Sequence, residues 1–143
     1  ARELSRERLV AVLSEGHRLA SRRRLRLEDL AGEPFVDFPE GSSGREQSDL
    51  AFDRAGLRRE VSFEVNTANL LTGLVRQGLG TALIAPGLAH DVPGCMCIPV
   101  SDGPVRVEYL AWDSFNPSPV AQVFVDSVPV LQPRSPSLTA TTT

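Results

Sequence analysis

Short apolar runs recur along this chain, each closed by Gly, Pro, Asn or Ser, with helical spacing between them. Leu9-Val10-Ala11-Val12-Leu13 is too short for a helix and ends at Ser14-Glu15-Gly16, so it reads as a buried strand. Phe35-Val36-Asp37-Phe38, held between Pro34 and Pro39, and Thr81-Ala82-Leu83-Ile84-Ala85, closed by Pro86, read the same way. Val61-Ser62-Phe63-Glu64-Val65 alternates with period two, the pattern of a half-buried strand. Cys97-Ile98-Pro99-Val100 and Val105 to Trp112 complete the strand set.

Between these runs lie the helices. Leu27 to Gly32 makes one turn, and Arg45 to Ala55 is stopped by Gly56. Asn66-Thr67 can cap a helix from Ala68 to Gln77, which Gly78-Leu79-Gly80 ends. A short helix around Gly87–Ala89 and an amphipathic one from Ser118 to Val128, halted by Pro129, follow. Strands alternating with helices predict an α/β fold with a mainly parallel sheet, because parallel neighbours need crossover connections. Residues 132–143 are expected to form a disordered tail.

Composition narrows the class. A chain of 143 residues makes one compact domain, and a formal charge of −3 argues against a basic nucleic-acid binder. All 15 basic residues are Arg, concentrated before residue 60. Cys95 and Cys97 are separated by one residue, too close for an ordinary bridge. No apolar run approaches the roughly 20 residues of a membrane span, and Ala1 to Arg8 lacks the apolar core of an export signal. A soluble, cytoplasmic protein is the expectation, with no membrane partner.

In a parallel sheet the strand-to-helix junctions share one edge, where ligands bind. Three junctions stand out: Phe38 into Gly41-Ser42-Ser43-Gly44-Arg45, Val65 into Asn66-Thr67, and Ala85 into Pro86-Gly87. Hydroxyls, an amide and free N–H groups at helix starts suit an anionic or polar small molecule, and Arg45 could pair with its carboxylate. Ordinary helix capping explains the same Ser and Asn residues equally well.

Chemistry is harder to find. Gly41-Ser42-Ser43-Gly44 has the wrong spacing for a nucleophile elbow and lacks the ending of a phosphate loop. His17 and His90 stand in no triad arrangement and read as structural. Cys95-Met96-Cys97 has only His90 near it, so small apolar filler is preferred to a metal site. No catalytic residue, metal or cofactor is expected.

The segments Leu9 to Ala20, Leu27 to Phe35, Phe38-Pro39-Glu40-Gly41-Ser42, Phe63-Glu64-Val65, Leu74 to Pro86 and Ser118 to Val125 resemble, in order and spacing, the effector-binding domain of LysR-type transcriptional regulators. The resemblance covers about residues 8–128. It implies a lobe like that of type 2 periplasmic binding proteins, with part of a second lobe. On this reading residues 1–14 are the first crossover strand and a remnant of lobe I. Residues 15–100 are the effector-binding lobe II, and 101–131 the return crossover strand and closing helix of lobe I. The winged helix-turn-helix and most of lobe I are expected to be missing from the chain.

By family logic the effector cleft is lined by the same three junctions: Phe38, Gly41, Ser42, Ser43 and Arg45, then Asn66 and Thr67, then Ala85 and Pro86. The implied function is sensing of a small-molecule effector, coupled through a homodimer or tetramer to DNA held by the absent winged helix-turn-helix. The chain departs from the family at His17-Arg18, where His-Pro is usual, and in the Gly-Ser-Ser-Gly-Arg-Glu-Gln loop. Effector identity therefore does not carry over. A stand-alone solute-binding protein shares the fold but requires an export signal, and a small α/β enzyme requires a nucleophile–base pair or a cofactor fingerprint.

Overall fold

The computed structural model describes residues 1–111 and 118–127. It contains two compact units: Glu7–Arg106, and Ala1–Arg6 together with the chain from Val107 onward. The expected tail at 132–143, with Trp112 and Val128, lies outside the described residues.

The larger unit is built on strands β2 (Val10–Ser14), β3 (Pro34–Asp37), β4 (Glu60–Glu64), β5 (Ala82–Ile84) and β6 (Cys95–Pro99). Helices α1 (Leu27–Leu30), α2 (Ser43–Arg54), α3 (Ala68–Arg76) and α4 (Pro86–Ala89) connect them. β2 lies between β5 and β6 and is antiparallel to both, pairing Ala11 with Leu83 and Val12 with Cys97. β3 and β4 are parallel, pairing Pro34 with Glu60 and Asp37 with Glu64. A parallel bridge from Phe35 to Thr81 joins the two ladders, with Val36 N donating to Thr81 O and Thr81 N to Pro34 O, both at 2.8 Å. The strand order is thus β4-β3-β5-β2-β6.

The sheet is mixed rather than mainly parallel. β3, β4, β5 and β6 run one way, and β2, wedged between the last two, runs the other. Alternation of strands and helices governs only strands joined by crossovers. β2 enters before that alternation begins, so its direction left no periodic trace in the sequence.

Both faces of this sheet are covered, which is why its strands read as unbroken apolar runs. Ala11, Leu13, Phe35 and Leu83 pack on one face with Leu27 and Leu30 of α1 and Phe52 of α2. Val12, Val36, Ala82 and Ile84 pack on the other with Leu71 and Val75 of α3 and Ala89 of α4. Fully burying each such side chain contributes roughly 1.5–3 kcal/mol. β4 is the outer strand, and its Phe63 remains exposed. Gly80 is where the backbone of β3 comes closest: an added Cβ would stand 3.0 Å from Val36 Cγ2 and 3.1 Å from Pro34 O.

The sequence pattern missed β1 (Arg2–Arg8) because its charges and hydroxyls show no apolar alternation. β1 exists through its ladder with β7 (Val105–Leu110), where Ser5 Oγ donates to Glu108 Oε2 at 3.0 Å. Helix α5 (Pro119–Ser127) belongs to the smaller unit, and Ser118 Oγ accepts from Ala121 N at 3.2 Å. Among the described residues no helix is long and apolar enough to cross a membrane.

Candidate functional site

β4, β3 and β5 are parallel neighbours, so their C-terminal ends lie side by side at the strand spacing of about 4.8 Å. All three junctions singled out from sequence follow these ends and come together on one edge of the larger unit.

The first junction turns at Gly41, whose φ of +88° is a conformation an L side chain rarely adopts. Phe38 is half-buried and packs against the Val36 and Val65 face of the core. Ser42 is the N-cap residue of α2, yet its Oγ donates to Pro39 O at 2.7 Å instead of accepting from the helix. α2 therefore starts without a side-chain cap, and Ser43, its first residue, is exposed. First-turn N–H groups of a helix have no partner within the helix and carry its positive end.

The second junction behaves differently. Thr67 Oγ1 accepts from Leu70 N at 3.2 Å and caps α3, while Asn66 is exposed beside it. At the third, Ala85 is buried as the N-cap of α4, and Pro86 occupies the first turn, exposed. Ala85 contributes backbone and shape, with no polar side chain.

Arg45 departs from its expected role. Its side chain is buried, and Nη1 donates to Glu64 Oε1 at 2.5 Å and to Phe38 O at 3.2 Å. Glu40 and Asp49 lie within 3.6 and 3.7 Å of the same guanidinium. Burial alone would lower the Arg45 pKa, but Glu64, Asp49 and Asp37 outweigh it and hold the charge more firmly. The carboxylate that Arg45 meets is thus the chain's own. It ties the first junction to the end of β4.

A second buried arginine escaped the sequence reading. Arg59 donates from Nη1 to Asp37 Oδ2 and from Nη2 to Asp49 Oδ1, both at 2.6 Å. The Arg59 and Asp37 side chains are only 3% and 4% exposed. The guanidinium also lies 5.1 Å from the Phe35 ring centroid and 5.8 Å from that of Phe52. The legible signal was Asp37 itself: a carboxylate inside the run Phe35 to Phe38 requires a cation. Through Asp37 Oδ1, which accepts from Phe38 N at 2.7 Å, this pair fixes the start of the first junction.

His17 is structural, as its setting implied. Its Nδ1 accepts from Leu19 N at 3.0 Å, leaving Nε2–H to donate to Glu33 Oε2 at 3.0 Å. Burial would raise the Glu33 pKa, but the bonds from His17 and Arg18 bring it below the usual carboxylate value. His90 is exposed beside Asp91.

A cavity of about 690 Å³ opens at the opposite ends of β3 and β4, lined by Glu33, Asp49, Phe52, Asp53, Arg58 and Glu60 among others. The junction edge offers hydroxyls, an amide and helix-start N–H groups, with its one arginine already engaged. Helix-start N–H groups and hydroxyls of this kind suit an anionic or polar small molecule.

Comparison with known proteins gives a consistent answer. The family described as the LysR substrate binding domain matches residues 1–129. The uncharacterized HTH-type transcriptional regulator YybE of Bacillus subtilis is 32% identical over 120 residues, 82% of this chain and 41% of that protein. The chain thus spans less than half of that relative. Among solved structures, the effector binding domain of QuiR in complex with shikimate superposes with a TM-score of 0.72 at 22% identity, covering 87% of this chain and 61% of QuiR's. Full-length CbnR complexed with its target DNA superposes with a TM-score of 0.74 at 17% identity, covering 88% and 45%. At these identities the likeness to the two structures is one of fold.

Proposed function

Because the chain belongs to the LysR substrate-binding-domain family, we propose that it is the ligand-sensing part of a LysR-type transcriptional regulator, binding a small-molecule effector at the edge where β3, β4 and β5 end. The observation that carries this reading is the convergence of the uncapped α2 start with Asn66 and Thr67 on that edge. Helix starts favour an anionic or strongly polar group. Ser42, Ser43, Asn66 and Thr67 supply its hydrogen bonds, with Phe38, Gly41, Ala85 and Pro86 shaping the floor. Arg45 acts as a positioning residue, since its charge is matched internally by Glu64.

In this reading residues 15–100 are the effector-binding lobe, 1–14 the first crossover strand, and 101–131 the return strand and closing helix. The protein binds and does not catalyse. DNA is held by the winged helix-turn-helix that accompanies this domain in the family, which places the regulator in the cytoplasm. Effector binding favours one arrangement of the domain, and a homodimer or tetramer passes that bias to the DNA-binding parts.

The test is calorimetric titration of the full-length regulator with a panel of small carboxylates and polyhydroxy acids. Ser43→Ala, Asn66→Ala and Thr67→Ala should each weaken the response of any ligand found. If all three leave every response intact, the site lies elsewhere.

A further inference from the structure

Effector sensing leaves one motif unused. Cys95 and Cys97 alternate with Met96 along β6, so their side chains leave the same face of the sheet. That face is the one covered by α3 and α4: the partner of Cys97 across the ladder is Val12, which packs against Leu71 and Ala89. Both thiols are free, Cys95 half-buried and Cys97 exposed. Cys97 Sγ donates to Ala89 O at 2.9 Å, and Cys95 Sγ points at Thr72 O at 3.9 Å. Met96 points to the other face.

A direct sulfur–sulfur bond does not suit this geometry. Same-face residues of a strand stand about 6.5 Å apart, whereas bridged Cβ atoms stand roughly 4 Å apart. The strand would have to break. A metal ion closes that gap, because two metal–sulfur bonds of about 2.3 Å span roughly 4.6 Å, within reach of side-chain rotation. Among the described residues no group of three or more His, Cys, Asp or Glu could hold a metal ion. Zinc and magnesium therefore lack their full ligand sets, and only a soft ion content with two sulfurs is served.

We propose that Cys95 and Cys97 form a two-coordinate site for a soft monovalent cation of the cuprous class. Binding breaks both S–H bonds and forms two sulfur–metal bonds from the sulfur electron pairs. Two protons pass to solvent, the complex carries one negative charge, and no electron is transferred. Arg76 lies against Gly94, the residue before Cys95, with its Cδ 2.9 Å from where a Cβ would stand there. Its charge favours the anionic complex.

The experiment is an anaerobic titration of the chain with cuprous ion buffered by a chromogenic chelator, with silver as a redox-inert check. We expect one ion per chain, held at least about tenfold more tightly than by a free Cys-Met-Cys peptide, with two sulfur neighbours by X-ray absorption. Cys95→Ser and Cys97→Ser should each abolish it while leaving circular dichroism unchanged, and Met96→Leu and His90→Ala should retain it. Affinity equal to that of the peptide, binding that survives in either Ser variant, or a nitrogen neighbour in the coordination shell would overturn the proposal.

Discussion

The two ends of β3 and β4 handle polar groups in opposite ways. At the start of these strands sits a large cavity rimmed by charge, yet its principal ions answer one another: Arg59 is held by Asp37 and Asp49, and Glu33 by His17 and Arg18. At the other end Arg45 is matched by Glu64, while α2 begins without a side-chain cap and Ser43 and Asn66 stand exposed. A large hollow is the usual first choice for a binding site. Here the two ends differ in kind: charged side chains line the hollow, while helix starts with neutral hydroxyls and an amide form the junction edge.

That contrast can be broken most sharply at Arg59. Arg59→Met leaves Asp37 charged and buried without its partner, which should destabilise the chain by about 3–5 kcal/mol, read from urea denaturation midpoints. A loss under 1 kcal/mol, on the order of an exposed ion pair, would mean that the buried network does not hold the first junction.

A smaller effect tests the junction edge. Thr67→Ala removes the α3 cap and should lower stability by about 1 kcal/mol, whereas Ser43→Ala, which removes no fold contact, should stay within about 0.5 kcal/mol. Equal stability losses in the two variants would erase the distinction between a hydroxyl that also caps a helix and one left wholly to a ligand.

The smallest effect is expected from pH. Glu33 titrates lower in the folded chain than in the unfolded one, so it stabilises the fold above the ordinary carboxylate pKa near 4.3. That contribution is lost as pH falls through the depressed folded value. Glu33→Gln should flatten this part of the stability profile on the acid side of the ordinary carboxylate pKa, while Glu64→Gln, at the exposed end of β4, perturbs Arg45 instead.

Much of this was legible from residue order. Pro39, Gly41 and Pro86 marked the turns, Thr67 marked a cap that forms, and the apolar runs marked strands buried on both faces. Ser42 holds the N-cap position but makes no side-chain cap, its hydroxyl being turned back to donate to Pro39 O. Arg45 looked free because nothing in the sequence pairs it with Glu64, 19 residues away. β1 was invisible for the same reason: only its partner strand makes it a strand.

Sequence alone therefore determined the strands and helices of the larger unit and which junction residues carry hydroxyls and amides. Those properties depend on backbone chemistry and spacing within a few residues. Tertiary structure decided the direction of β2, the engagement of Arg45 and Arg59, and the facing of Cys95 and Cys97 toward α3 and α4. Each depends on which distant residues become neighbours, and a buried charge or an unpaired strand edge takes its partner from across the fold rather than along the chain.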